Sequence, residues 1–212
     1  MPQIESVVFL SHLPPGMLPR LFLMGAVIAA PFSVLAVLIL GKRKGETVDI
    51  QQHSRLAMPA SEWAWKLAVI AIVYVILYFT FGYYIAWRNP AVVEYYSGID
   101  EGSFPAHMST VVRDTPLLIP FQILRAMFWV VLASFVIRLM KGEWRETALV
   151  VALLFGVVMT APLLLANPYM PEPVRMAHLV ETASSNFIFG MFITWLLTAH
   201  RTFGKITIIS PR

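Results

Sequence analysis

Five blocks of predominantly apolar residues, each long enough to cross a bilayer, govern what this chain can fold into. They run over residues 17–40, 62–87, 115–140, 147–165 and 174–199. A hydrocarbon core about 30 Å thick takes about 20 apolar residues in helical conformation. Inside it every backbone N–H and C=O must be satisfied internally, which makes helices the solution for runs of this kind. The expected architecture is therefore an all-α membrane protein, a five-transmembrane-helix bundle, with one integral membrane domain over 1–212. Composition agrees, at 58% hydrophobic and 13% charged, against about 45–50% and 25% in soluble domains.

The basic residues predict the orientation. Of the 16 Lys and Arg residues, Arg20, Arg88, Arg113, Arg125 and Arg175 fall on one side or within a span, which leaves 11 on the other side. Cytoplasmic loops carry the excess of positive charge. The N-terminus is thus expected outside and the C-terminus in the cytoplasm, in the plasma (inner) membrane. Five of the tryptophans, Trp63, Trp65, Trp87, Trp144 and Trp195, fall near the expected interfaces, and Trp129 near mid-span is the exception. Residues 1–16 contain no Lys or Arg. A secretory signal needs a basic leading region, so the first block reads as a true span, kinked at Pro31.

Local signals set the boundaries. Gly41-Lys42-Arg43-Lys44-Gly45 stops the first span, and a polar loop comes after it. Ser61 is the expected N-cap of the second span, with Glu62 favourable at the positive helix end. Asn89-Pro90 stops that span. The connection from Asn89 to Asp114 is the longest and holds Tyr95, Tyr96, Asp100 and Glu101, with a Gly-Ser-Phe-Pro turn and expected short surface helices. Asp114-Thr115-Pro116 opens the third span, and a proline-dense turn from Asn167 to Pro173 precedes the fifth.

Several function classes drop out. With no cysteine, thiolate metal sites, iron–sulfur ligation and cysteine nucleophiles are excluded. The net charge of +4 lies in short loops beside apolar blocks, where it sets topology, so no nucleic-acid partner is expected. One histidine within the spans excludes a bis-histidine haem built from them. Walker A, Rossmann, His-Glu-x-x-His and Gly-x-Ser-x-Gly patterns are missing. No internal repeat suggests an inverted-repeat transporter. No cofactor and no metal are expected.

Ionisable residues inside spans are costly and usually face the bundle interior, so they mark the candidate site. The third span carries Gln122 and Arg125, three apart and so on one face. The fifth carries Arg175, His178, Glu181, Thr182, Ser185 and Asn186. Helical rise puts Arg125 about 15 Å and Glu181 about 10 Å from the outer surface, within reach of an ion pair. Such a pair serves binding or merely locks two helices. The Ser184-Ser185-Asn186 run reads first as helix–helix glue. His178 and Glu181 have the spacing of metal sites and proton relays, yet no other span offers carboxylates for a di-metal centre. A zinc site on His12, His107 and His178 has nothing in the spacing to select it. Ser185 is two turns from His178, too far for a hydrolase dyad. Tyr78 and Tyr84 belong to an interface belt or, on a sharper reading, line a cavity with Arg125.

Two functional readings fit these residues. In the first, a polar outer-half cavity lined by Gln122, Arg125, Arg175, His178, Glu181 and Asn186 binds or transports a small anionic molecule or lipid headgroup, with His178 or Glu181 as the protonatable group. In the second, the chain is an accessory or assembly subunit whose polar stripe packs on a membrane partner or a second copy. An intramembrane enzyme using His178 and Glu181 ranks third. The bilayer is the partner common to all three.

Overall fold

The computed structural model describes residues 56–199 except 97, 142 and 167–169, together with isolated positions between Gly16 and Ala30. The chain divides into two compact units, Met1–Asp49 and Ile50–Arg212. The expected first span, its basic stop and the basic tail lie outside the described residues, apart from scattered helical positions between Pro19 and Ala30. The second unit contains the continuous helices of the described chain.

That unit is all-helical, without strands among the described residues, and four of its helices are long and apolar enough to cross a membrane: Ala60–Ala86, Leu118–Leu139, Trp144–Leu164 and Glu172–Thr198. The chain is thus an integral membrane protein by the length and composition of these helices. At helical rise the 27 residues of the first of them extend roughly 40 Å and the 22 of the second roughly 33 Å, enough for the hydrocarbon core.

Helix α1 spans Ala60–Phe81 and continues as a π-turn over Gly82–Ala86. Two short helices come next, α2 over Pro90–Tyr95 and α3 over Phe104–Asp114. Helix α4 is Leu118–Leu139. Helix α5 starts at Trp144–Leu153, passes through a second π-turn over Leu154–Val158, and ends in a 3-10 turn at Ala161–Leu164. Helix α6 is Glu172–Thr198. Successive spans run antiparallel. The long connection with α2 and α3 therefore shares one end of the bundle, the loop end, with the α5–α6 turn. The tight α4–α5 hairpin sits at the other.

Cap chemistry explains most boundaries. Asn89 ends no helix passively: its side chain accepts from Ala91 N at 3.0 Å and so caps α2, with Pro90 in the first turn. Ser103 does the same for α3, accepting from Ala106 N at 3.4 Å. The expected cap at Ser61 is not used. Extended Pro59 precedes the helix instead, so α1 begins at Ala60 without a side-chain cap. Helix α4 opens at Leu118, later than Asp114-Thr115-Pro116 suggested, because Asp114 still belongs to α3. Helix α5 opens earlier than Thr147. The Glu143 N–H donates to the Glu146 carboxylate at 3.2 Å, one half of a capping box.

One aromatic layer ties the four spans together. The Trp129 indole N–H of α4 donates to the Tyr74 hydroxyl of α1 at 3.3 Å. Tyr74 meets Phe189 of α6 edge-on at 4.9 Å, and Trp129 packs on Phe155 of α5 at 4.4 Å. Trp129 thus sits far from an interface because another span supplies a partner for its N–H. Toward the hairpin end, backbones nearly touch. A Cβ on Gly190 would lie 2.6 Å from Ala152 Cα, and one on Gly156 would lie 2.8 Å from Ala183 O. Ala148, Ala152 and Gly156 supply the small-residue stripe for this approach.

Lys66 closes that end. Although it looks like a loop cation in sequence, it is 1% exposed. Its ammonium donates to Ala199 O at 2.9 Å and pairs with Glu62 at 2.8 Å. A cation on the last carbonyls of α6 is favoured by the helix dipole.

Candidate functional site

The polar residues collect in the half of the bundle nearer the loop end. On α4 the inward stripe reads Gln122, Arg125, Ala126, Trp129, Val130, Ala133 and Ile137. Its first two members are polar and the rest mostly apolar, so the side-chain chemistry changes with depth. Gln122 is fully buried and Arg125 is 8% exposed. On α6, Arg175, Glu181, Ser185 and Asn186 are likewise buried.

The centre of the site is a three-residue hydrogen-bond chain. His178 Nδ1 lies 3.0 Å from Glu181 Oε2, and His178 Nε2 lies 3.0 Å from the Tyr96 hydroxyl. An ionised carboxylate can only accept, so Nδ1 carries the proton and donates to Glu181. The neutral ring then leaves Nε2 to accept from the Tyr96 O–H. The i,i+3 spacing on α6 makes the first bond, and α2 delivers Tyr96 from 82 residues away in sequence.

Arg175 stands one turn before His178. It donates through one terminal nitrogen to Leu165 O, which joins α6 to the end of α5. Its buried Nε has no hydrogen-bond partner among the described residues. Asn186 is five residues beyond Glu181, about 7.5 Å further along the axis, and so lies deeper than the His178–Glu181 contact. Hydroxyls on α6 are committed to their own helix: Thr182 donates to His178 O, Ser184 to Val180 O and Ser185 to Thr182 O. The expected helix–helix glue is thus intrahelical back-bonding at these serines.

A second acid–histidine pair flanks the first. His107 Nδ1 on α3 lies 3.1 Å from Glu101 Oε2. The His107 ring packs on Trp87 at 4.9 Å and on Tyr83 at 5.3 Å, while the far side of the cluster has Trp87 stacked on Tyr96 at 6.3 Å. Burial alone would raise the Glu101 carboxyl, but hydrogen bonds from its own backbone and from His107 outweigh this and hold it below its ordinary value. At the end of the same helix, the Arg113 guanidinium lowers Asp114 by the same kind of bond.

The first π-turn decides which aromatic faces in. Tyr83 is 2% exposed, whereas Tyr84 is 56% exposed and stacks on Phe104 at 5.8 Å. Tyr84 is therefore turned away from the interior that the sharper reading gave it, and its neighbour Tyr83 occupies the inward position, with Arg88 donating to its hydroxyl at 3.2 Å. Gly98 allows the loop to cross the indole. A Cβ there would lie 2.5 Å from the Trp87 ring.

Among the described residues no three His, Cys, Asp or Glu side chains converge on a metal-ion position. His107 and His178 are each bonded to a different glutamate, and His12 lies outside the described residues. Sequence reasoning missed Tyr96, Glu101 and Trp87 as members of the site. They come from the long connection, where no helical periodicity announces what a side chain will meet. Comparison with known proteins found no matching family model, no matching curated protein and no matching solved structure.

Proposed function

We propose that this membrane protein binds a small anion or an anionic lipid headgroup in the loop-end half of its bundle. Arg125 and Arg175 are the anion partners, and His178 with Glu181 the proton-handling pair. The observation that carries the reading is the Tyr96–His178–Glu181 chain, a protonatable ring held between a buried carboxylate and a hydroxyl at 3.0 Å each. Structural ion pairs need no such hydroxyl. Burial of Arg175, Glu181, Ser185 and Asn186 also supports it. A polar stripe meant for a partner subunit would lie on the lipid-facing side. On this reading Arg125 pairs with Glu181 between α4 and α6, while Gln122 and Asn186 line the same interior.

Thermal stability in neutral detergent tests the reading. Small oxyanions or short-chain anionic lipids should raise Tm through preferential binding to the folded state, and choline-headgroup lipids should not. Arg175→Gln should abolish the increase. If no anion raises Tm, the reading fails.

The same hydrogen bonds favour a second reading, an intramembrane enzyme in which His178 activates the Tyr96 hydroxyl. Covalent labelling of Tyr96 by a phenol-directed reagent, faster than that of the other tyrosines and lost in His178→Gln, would support it. Equal labelling of all tyrosines would not.

We further propose five spans in the plasma (inner) membrane, with the N-terminus outside, the α2–α3 end external and the C-terminus cytoplasmic. The absence of native cysteine makes single-cysteine labelling direct. Ser109→Cys should react with an impermeant thiol reagent on intact cells and Ser54→Cys should not. The opposite pattern reverses the orientation.

A further inference from the structure

The hydrogen-bond directions in the Tyr96–His178–Glu181 chain matter for more than binding. In the neutral ring, Nδ1 donates to Glu181 and Nε2 accepts the Tyr96 O–H, as the acceptor-only carboxylate requires. A protonated imidazole has a donor on both nitrogens. Nε2–H then points at the Tyr96 oxygen, and that oxygen becomes an acceptor. Its own hydrogen must rotate away from His178 and donate elsewhere. One proton added to the ring thus changes the direction of a hydroxyl without moving a heavy atom.

We infer that proton uptake by His178 turns the Tyr96 hydroxyl into a donor for the bound anion, so that one proton and one oxyanion bind together. The inference rests on the anion-binding reading. Ionisable groups near the ring agree in sign. Glu181 and Arg175 stand on α6 itself, Tyr96 on α2 with Tyr95 against it, Arg125 on α4, and Tyr83 with Arg88 at the end of α1. Helix α5 brings no ionisable group to that end. The pair of His107 and Glu101 on the α3 side is separated from Tyr96 by the Trp87 ring. With Glu181 ionised, the buried guanidiniums of Arg125 and Arg175 leave one positive charge in excess, and protonating His178 adds another. Arg175 Nε, buried and without a partner among the described residues, is a second donor one turn from the switch.

The shared ligand chemistry is an oxyanion with several acceptor oxygens, either free in water or carried on a lipid. Sulfate and dihexanoyl-phosphatidylglycerol represent the two sources, and neither titrates between pH 5.5 and 7.5. The full chain in neutral detergent is titrated with each by calorimetry at both pH values, in buffers of differing ionisation enthalpy.

The expected result is binding of one of the two that is about tenfold tighter at pH 5.5, with uptake of about one proton, since a histidine titrates across this window. Tyr96→Phe keeps the ring and its charge but removes the hydroxyl, and should reduce the pH effect to less than about threefold. His178→Gln should remove it entirely, with circular dichroism confirming the fold of both variants. Equal affinity of the wild type at both pH values overturns the inference while leaving anion binding intact. So does a Tyr96→Phe protein with the full wild-type pH effect, which would assign the coupling to ring charge alone. Binding of neither probe overturns this inference and the anion reading with it.

Discussion

The two halves of α6 are built on opposite terms. Between Phe189 and Leu197 the buried side chains are almost all apolar, and Gly190 lets the helix lie against the backbone of α5. Between Arg175 and Asn186 the buried positions are Arg175, Glu181, Ser185 and Asn186, with His178 at their edge. In the first half, association comes from close packing, which tolerates no added volume. In the second, polar groups stay in place only where a partner compensates their removal from water. One helix therefore carries a part specified by shape and a part specified by hydrogen bonds and charge.

The sharpest way to break this comparison lies in the charged half. If Arg125 pairs with Glu181, Arg125→Met or Glu181→Gln alone should each cost about 3–5 kcal/mol, because the remaining group is left buried without its counterpart. The double variant should recover much of that loss in reversible unfolding. Strictly additive losses would mean that the two side chains do not interact.

A smaller effect is expected in the packed half. Gly190→Ala should destabilise by about 1–3 kcal/mol, since the new methyl meets Ala152 backbone and not a movable side chain. Gly82 is the control. A Cβ there meets nothing within 4 Å in a helical conformation. Gly82→Ala should therefore be neutral or stabilising by about 0.5–1 kcal/mol. Equal losses at both glycines would remove shape as the organising factor of this half.

The smallest effect is a pH response at the loop end. Glu101 is held below its ordinary value of 4.5, so its contribution to seating α3 is present above that pH and is lost as pH falls through the lowered value. A spin label at Ser109→Cys should report loosening of α3 below about pH 4.5, and Glu101→Gln should remove the transition. Unchanged mobility down to pH 3 would separate the His107–Glu101 pair from the seating of α3.

Much of the fold is legible in the sequence, for reasons specific to the residues. Four spans lie within a few positions of the ends that hydropathy predicts, because apolar runs this long have one structural solution in a bilayer. The burial of Gln122, Arg125, Arg175 and Glu181 accords with the cost of charge in hydrocarbon. Tyr96 is not legible as the partner of His178, since their bond depends on where α2 lands against α6. Neither π-turn is visible in the pattern. Periodicity assumes that each turn advances by the same angle, and Gly82–Ala86 and Leu154–Val158 do not. Lys66 misleads because a lysine beside an apolar block resembles an interface cation until its acceptor, Ala199 O, is known.

The first π-turn bears on how the chain tolerates change in length. Trp87 N bonds to Gly82 O, five residues back, at 2.8 Å. The turn thus accommodates one residue more than a regular helical turn. Deleting one residue between 82 and 86 would restore regular winding and leave a helix still long enough to span the bilayer. The topology would survive, but everything after the deletion would rotate by about 100° relative to what precedes it. Trp87 would swing away from both histidine clusters. A single-codon deletion here would thus make a membrane protein of normal insertion and abundance whose site had been dismantled, a lesion of angle with no residue of the hydrogen-bond chain missing.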